Sequence, residues 1–256
     1  MRRFHLFSTV VATAGLFFAS KARSAETCEE LIRKGDVFYA RLEPAEALKF
    51  YLPAEKIDPN NAQLLVRIAR QYRHLVSECS AKEQKQQFCT TAVGYAERAR
   101  TLAPNDPDAQ LSVAISYGKL LPYVGSKEQI EDSRLIKAAV DKVIALDANN
   151  DLAWQVLGRY YLGLADVSGV KRALAQMAYG KLPTATYDDA VKCFEKAIEL
   201  NPTRLMHYIE LGRTYVQMGK MEEAKKYIAK GLAMPNTEKD DPETKNAGRQ
   251  LLAKLH

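Results

Sequence analysis

The sequence lacks the spaced motifs on which most enzyme classes depend. Its 256 residues contain four histidines, and none of them occurs in the H-E-x-x-H spacing of a zinc hydrolase. The G-x-S-x-G, G-x-G-x-x-G and P-loop patterns are missing as well. His74 and His207 fall in helical stretches, where partly exposed structural residues are the simpler interpretation. These absences predict a binding protein without catalytic residues, cofactor or metal.

Cysteines are few and are not arranged as a metal or redox site. No pair among the four has the C-x-x-C spacing. Cys79 and Cys89 lie close together in the sequence, in a segment between two predicted helices. In an oxidising compartment they could form a local disulfide. Cys193 falls within a helical apolar pattern, which favours a small buried hydrophobic residue.

A strong charge of either sign is also missing once the N-terminus is set aside. The whole chain has a net charge of +6, but residues 1–24 contain four basic and no acidic residues. Without them, 33 Lys and Arg face 31 Asp and Glu, a net charge of +2. This balance gives no electrostatic support for nucleic-acid binding.

Residues 1–24 have the layout of a signal peptide. Arg2 and Arg3 precede an almost uncharged stretch, residues 4–19, and Ser24 and Ala25 supply small residues for cleavage. The apolar stretch is shorter than the roughly 20 residues that a membrane-spanning helix needs. We therefore expect an exported chain, periplasmic or secreted. An uncleaved N-terminal membrane anchor is the alternative.

One arrangement of large and small residues recurs along residues 28–235. Its clearest copy begins near residue 151 and consists of Trp154, Leu157, Gly158, Tyr161, Ala190, Phe194, Ala197 and Pro202. Other copies begin near residues 28, 62, 107 and 205. This is the pattern of the 34-residue tetratricopeptide (TPR) repeat, in which large and small side chains alternate across two helices. Because one unit cannot bury its apolar faces alone, the units must stack.

The repeats predict an all-α, right-handed TPR-like solenoid of about five helix-turn-helix units. Successive unit starts are 34, 45, 44 and 54 residues apart, so the three middle units are too long. We place the extra residues between the two helices of each unit, at 76–86, 120–133 and 165–187. The last insertion includes a short helix of its own. Residues 240–256 are predicted to form a C-terminal capping helix.

The order of residues around the longest insertion resembles a known family. The residues concerned are Trp154, Leu157, Gly158, Arg159, Tyr161, Pro183, Thr186 and Ala190. They resemble the regulator of microtubule dynamics protein family, in which a Gly-Arg helix, an insertion and a Pro- and Ser-rich segment precede the next helix. The resemblance covers roughly residues 28–235. It implies a non-enzymatic TPR protein associated with microtubules, with a lipid-binding role at membrane contacts in some members. An exported chain would be separated from microtubules, which are a partner only if the family role carries over.

The first helices of the units predict the lining of a concave groove, because every third or fourth residue faces the inside of the solenoid. The predicted groove residues are Val66, Arg70, Arg73, Leu111, Ile115, Gln155, Arg159, Leu162, Ile209 and Arg213. Arginine can grip a carboxylate or phosphate bidentately while apolar neighbours hold a tail. We expect an unidentified protein or peptide partner, with a lipid or other anionic amphiphile as the alternative. It is equally open that these residues pack on the insertions and the final helix.

Overall fold

The structure, a computed structural model, describes residues 26–167, 169–180 and 183–255. Within these ranges all regular elements are helical. The α-helices are α1 (Cys28–Ala40), α2 (Pro44–Ile57), α3 (Ala62–Leu75), α4 (Lys82–Leu102), α5 (Pro107–Leu120), α6 (Ser126–Leu146), α7 (Asp151–Ala165), α8 (Gly169–Tyr179), α9 (Tyr187–Leu200), α10 (Leu205–Gln217), α11 (Met221–Ala233) and α12 (Asp241–Ala253). The predicted signal peptide, residues 1–24, lies outside the described residues. No described helix has both the length and the apolar character that crossing a bilayer would require.

Side-chain caps fix where the first helices of several pairs begin. Asn61, Asp106 and Asn150 precede α3, α5 and α7, and each side chain accepts a hydrogen bond from a backbone N–H of the first turn. Thr186 forms a capping box with Asp189 at the start of α9. Each such cap stabilises its helix by about 1 kcal/mol. These helix starts are therefore set by signals that are local in the sequence.

Ten of the described helices form five packed pairs. The pairs are α1 with α2, α3 with α4, α5 with α6, α7 with α9, and α10 with α11. The second helix of each pair packs on the first helix of the next, and α12 covers the last pair. The predicted all-α TPR-like solenoid with five units and a capping helix is confirmed.

The two helices of a pair approach most closely where a glycine of the first helix faces a bulky side chain of the second. A Cβ atom added at Gly158 would lie 2.8 Å from the Phe194 ring, and one added at Gly35 would lie 2.3 Å from Tyr51. Both aromatic rings are fully buried. The glycine leaves room for the ring, and the ring fills the core of the unit.

Two of the three predicted insertions are largely absorbed into helices. The helices α4 and α6 each have 21 residues, about two turns more than α2 with 14 residues. Single-turn 3-10 helices, Val76–Glu78 and Leu121–Tyr123, precede them. Only the third insertion forms a separate element, α8, between α7 and α9.

The Cys79–Cys89 disulfide, which the sequence left as a possibility, is not formed in the structure. All four cysteines are free thiols. The Cys89 Sγ is buried and donates a hydrogen bond to the carbonyl oxygen of Lys119, 3.3 Å away. Cys79 caps the 3-10 helix before α4, whereas Cys89 lies two turns inside α4, about 10 Å along its axis. The segment became helical instead of a flexible connection, and this separates the two thiols.

Gly158→Ala is expected to lower the free energy of unfolding by about 1–3 kcal/mol, because the new methyl group would overlap the Phe194 ring. Gly163→Ala is the matched control in the same helix. Its Cβ would meet no atom within 4 Å, so it should be neutral or stabilising by up to about 1 kcal/mol. Urea denaturation followed by circular dichroism measures both. Equal effects of the two substitutions would contradict the packing argument.

Candidate functional site

The first helices of the five pairs enclose a concave groove of about 830 Å³. This volume lies in the range of ligand-binding clefts, about 300–1,000 Å³. Eight of the ten predicted residues line it: Val66, Arg70, Arg73, Leu111, Ile115, Gln155, Arg159 and Arg213. Residues near the three insertions form one edge of the groove, among them Val76, Tyr123, Leu164 and Pro183.

Leu162 and Ile209 do not line the groove, which corrects the prediction for these two residues. Leu162 is buried in a cluster with Phe194 and Leu211, between two units. Ile209 is fully buried, and a Cβ atom added at Gly248 of α12 would lie 3.1 Å from it. The capping helix therefore covers Ile209. For this residue the alternative of packing on the final helix is the correct one.

The groove combines an apolar surface with basic side chains. Leu111, Ile115, Leu152, Val156 and Tyr160 supply apolar and aromatic surface from α5 and α7. The basic side chains around them are Arg70, Arg73, Lys119, Arg134, Arg159, Arg204 and Arg213. The groove can thus accommodate an apolar group and an anionic group side by side.

Several of the predicted groove residues hold neighbouring units together. Arg73 is buried and donates hydrogen bonds to Ser116 and Ser112 of α5, at 2.9 and 3.1 Å. Burial lowers the pKa of Arg73 to about 9. Arg70 donates to the Tyr39 hydroxyl at 2.8 Å and lies over that ring. These guanidinium groups already have partners within the solenoid.

Arg159 and Arg213 differ from these structural arginines. They occupy the ninth position of α7 and α10, so they are equivalent residues of consecutive units. Arg159 is exposed, and no hydrogen bond or ion pair joins it to another residue in the described part of the chain. The nearest carboxylate oxygen to Arg213 belongs to Glu210, 3.8 Å away. Arg213 is thus in a long ion pair, and neither guanidinium donates a hydrogen bond to another side chain in the described part of the chain.

The segment that leads into α12 and includes its first turn crosses the groove, and the sequence pattern did not predict this. Lys239 pairs with Glu78 at 2.6 Å and donates to the carbonyl oxygen of Leu42 in the first unit. Glu238 pairs with Arg204 of the last unit at 2.9 Å. Residues 238–243 therefore connect both ends of the solenoid across its concave side. We call them the crossing segment.

Asp240 is the central contact of the crossing segment. Its carboxylate accepts a hydrogen bond from Ser77 at 2.9 Å and pairs with Lys119 at 2.8 Å. Burial would raise the pKa of Asp240, but Lys119, His74 and the Ser77 hydrogen bond together outweigh burial and hold the pKa below its ordinary value. In the sequence, the closely spaced acidic residues Glu238, Asp240 and Asp241 were the feature that could have indicated a contact with basic residues of the groove.

His74 lies beside these groups and stacks on Tyr39. Burial lowers the pKa of His74 to about 4. Asp240 opposes this shift, whereas Arg73 and Arg70 add to it. His74 is therefore neutral at physiological pH.

The interpretation of His207 as partly exposed was wrong. His207 is fully buried and shares Asp151 with Arg204, each nitrogen lying 2.9 Å from the same carboxylate oxygen. Burial opposes the ionised form of Asp151, but His207 and Arg204 lower its pKa to about 2. The contact joins α7 to α10 and serves the stacking of units. Among the described residues, no group of three His, Cys, Asp or Glu side chains could hold a metal ion.

The stacked helix pairs and the concave groove define a TPR-type interaction scaffold. A thermophilic TPR protein of Thermus thermophilus has a similar structure, with a TM-score of 0.62 at 16% identity, over 90% of this chain and 98% of that one. A MamA structure from Desulfovibrio magneticus has a TM-score of 0.52 at 16% identity, over 81% and 94% of the two chains. At this identity the likeness establishes the fold alone.

The family model described as "Regulator of microtubule dynamics protein 1-3" matches residues 31–256. The chain belongs to this family, which confirms the resemblance found in the sequence. It is similar to mouse regulator of microtubule dynamics protein 1, at 25% identity over 93% of this chain and 78% of the relative. The Caenorhabditis elegans protein 1 is 26% identical over 75% of this chain and 84% of the relative. Against mouse protein 2, the chain spans only 47% of the relative's length.

The neutral state of His74 predicts a loss of stability in mild acid. The unfolded chain binds a proton near the ordinary histidine pKa of about 6.5, whereas folded His74 stays neutral down to about 4. Stability therefore falls as the pH drops from about 6.5 to about 4. His74→Gln should reduce this fall by an amount on the order of 1–3 kcal/mol. Part of the fall remains, because burial also lowers the pKa of His207. Superimposable pH profiles of the two proteins in chemical denaturation would contradict the assignment.

The crossing segment should contribute to stability through Asp240. Asp240→Asn replaces a half-buried carboxylate that has two partners, so we expect a loss of about 1–3 kcal/mol at neutral pH. Glu222→Gln is the control, because the Glu222–Lys225 pair is exposed and should contribute less than about 1 kcal/mol. Thermal and urea unfolding at neutral pH compare the two. A loss no larger than that of the control would show that the segment does not fasten the solenoid.

Proposed function

We propose that this chain is a non-enzymatic scaffold whose groove binds an acidic, partly apolar segment of a protein partner. The observation that carries the proposal is the crossing segment itself. It presents the carboxylates of Glu238 and Asp240 to Arg204 and Lys119, which line the groove. The chain thus provides its own example of how the groove accommodates acidic residues.

Arg159 and Arg213 would hold the partner's acidic groups. A guanidinium can form two parallel hydrogen bonds to a carboxylate, and these are stronger than neutral hydrogen bonds. Leu152 and Val156 lie on the same helix as Arg159 and also line the groove, so an apolar side chain next to the carboxylate could be buried. Charge would then set the register of the partner, and apolar contact would add affinity.

An anionic amphiphile is the second candidate ligand. The observation that favours it is the continuity of the apolar lining, which runs from Leu111 and Ile115 on α5 to Val156 and Tyr160 on α7. A hydrocarbon chain on this surface, with its headgroup at Arg159 and Arg213, would use the same two cations. The two candidates share the anionic anchor and differ in what occupies the apolar surface.

The cellular partner depends on where the chain works. The names of its relatives concern microtubule dynamics. The signal-like sequence of residues 1–24 favours export instead, and an exported chain would not meet microtubules. We therefore propose a partner in an exported compartment. The intact mass of the protein recovered from that compartment tests this proposal, since it should lack about the first 24 residues.

Charge reversal at the two available arginines tests the groove. Arg159→Glu and Arg213→Glu should each weaken binding of short fluorescent peptides that alternate Leu with Glu, by about tenfold or more. Peptides with Lys in place of Glu should bind poorly to the unchanged protein. Arg33→Glu is the matched control, because Arg33 is exposed and is not part of the groove lining. Fluorescence anisotropy measures binding, and circular dichroism verifies helicity.

The outcomes separate the two candidates. Failure of every acidic peptide to bind, or equal binding by the Arg159→Glu and Arg213→Glu proteins, would overturn the peptide proposal. Retention of a fluorescent fatty acid, lost on charge reversal, together with no peptide binding would select the amphiphile. Native mass spectrometry of the purified chain would then show the co-purified ligand.

A further inference from the structure

The insertion helix α8 presents an apolar surface to solvent. Val170, Leu174 and Met177 are 74%, 62% and 86% exposed, the highest values among the exposed large hydrophobic residues of the described ranges. Their spacing of four and three residues places them on one face of the helix. In the described part of the chain, α8 has no extensive packing with another helix. The three side chains form one continuous apolar stripe, unlike the isolated exposed hydrophobic residues that are normal on protein surfaces.

The orientation of α8 is the reverse of an ordinary surface helix. Surface helices of soluble proteins turn their apolar stripe to the core and their polar face to water. In α8 the half-buried residues are Arg172, Ala175 and Gln176, on the side opposite the apolar stripe. The polar face is therefore directed at the protein, and the apolar face is directed outward.

Arg172 fixes this reversed orientation. Its guanidinium donates to the carbonyl oxygen of Leu164 at 2.5 Å and to that of Pro183 at 2.8 Å. These carbonyls precede and follow α8, so one side chain fastens both ends of the insertion. Turning the apolar stripe inward would break both charge-assisted hydrogen bonds. The outward stripe is thus held by specific contacts.

The charge of the insertion indicates which kind of partner surface would cover the apolar stripe. Residues 165–187 contain Lys171, Arg172 and Lys181 against one acidic residue, Asp166, so the insertion has a net charge of +2. A short helix with one exposed apolar face and only basic charges is typical of segments that lie in the headgroup region of anionic membranes. Elsewhere the mature chain is nearly neutral, so this basic segment stands apart from its surroundings.

We propose that α8 docks on a lipid bilayer that carries anionic headgroups, with Val170, Leu174 and Met177 inserted between the lipids. Leu164, Val167 and Pro183, which flank α8, line the groove edge. Docking would therefore bring the open edge of the groove to the membrane surface. The proposal does not depend on the ligand of the groove.

Vesicle flotation tests the docking surface. The mature chain is mixed with vesicles of phosphatidylcholine and phosphatidylglycerol, and with vesicles of phosphatidylcholine alone. We expect the protein to float with the anionic vesicles and at least tenfold less with the neutral ones. Leu174→Asp combined with Met177→Asp should reduce flotation with anionic vesicles at least tenfold. Lys171→Glu combined with Lys181→Glu should reduce it severalfold.

Two controls keep the test specific. Ile57→Asp combined with Met221→Asp places two charges at apolar residues that are 55% and 43% exposed outside α8, and it should leave flotation unchanged. The Leu174→Asp/Met177→Asp protein should bind the acidic peptides as the unchanged protein does, so a failed groove proposal and a failed docking proposal give different results. Circular dichroism verifies that every variant is helical.

Three results would overturn the proposal. The first is no flotation of the unchanged protein with anionic vesicles. The second is equal flotation of the Leu174→Asp/Met177→Asp protein. The third is a concentration-dependent dimer in size-exclusion chromatography that these two substitutions abolish, without any vesicle binding, since the stripe would then be a protein interface.

Discussion

The whole structure depends on the close crossing of two helices within each unit. A glycine or alanine on the first helix leaves the space that a bulky side chain of the second helix fills, as at Gly158 and Phe194. The crossing fixes the rotation of the first helix about its axis. That rotation decides which of its residues face the concave side. The groove is therefore a consequence of the packing of each pair, repeated five times along the solenoid.

The arginines of the concave face differ in whether contacts within the solenoid already hold them. Arg70, Arg73 and Arg204 are bound by Tyr39, by two serines and by Asp151, and they fasten one unit to the next. The crossing segment then contacts Leu42 of the first unit, Lys119 of the third unit and Arg204 of the last unit. Arg159 and Arg213 are left between these contacts. A ligand bound at these two residues, as we propose, would leave the contacts between units intact.

The lengthened connections between the helices add further structure along one edge of the solenoid. In the second and third units the extra residues extend α4 and α6, so they add rigid surface beside the groove. In the fourth unit they form α8, which is fastened by Arg172 and carries its apolar residues outward. The groove edge and the stripe lie next to each other, and in our proposals the first would bind by arginine pairing and the second by apolar insertion.

The sequence by itself determined the helical repeats, the family and most of the groove. These rest on the spacing of large and small residues and on caps such as Asn150 and Thr186, all of which act within a few residues. Tertiary structure alone decided the burial of Ile209 and His207, the separation of Cys79 from Cys89 and the path of the crossing segment. The physical reason is distance along the chain. Contacts such as that of Lys239 with Leu42, 197 residues apart, depend on how five units curve together, and no local pattern encodes that curvature.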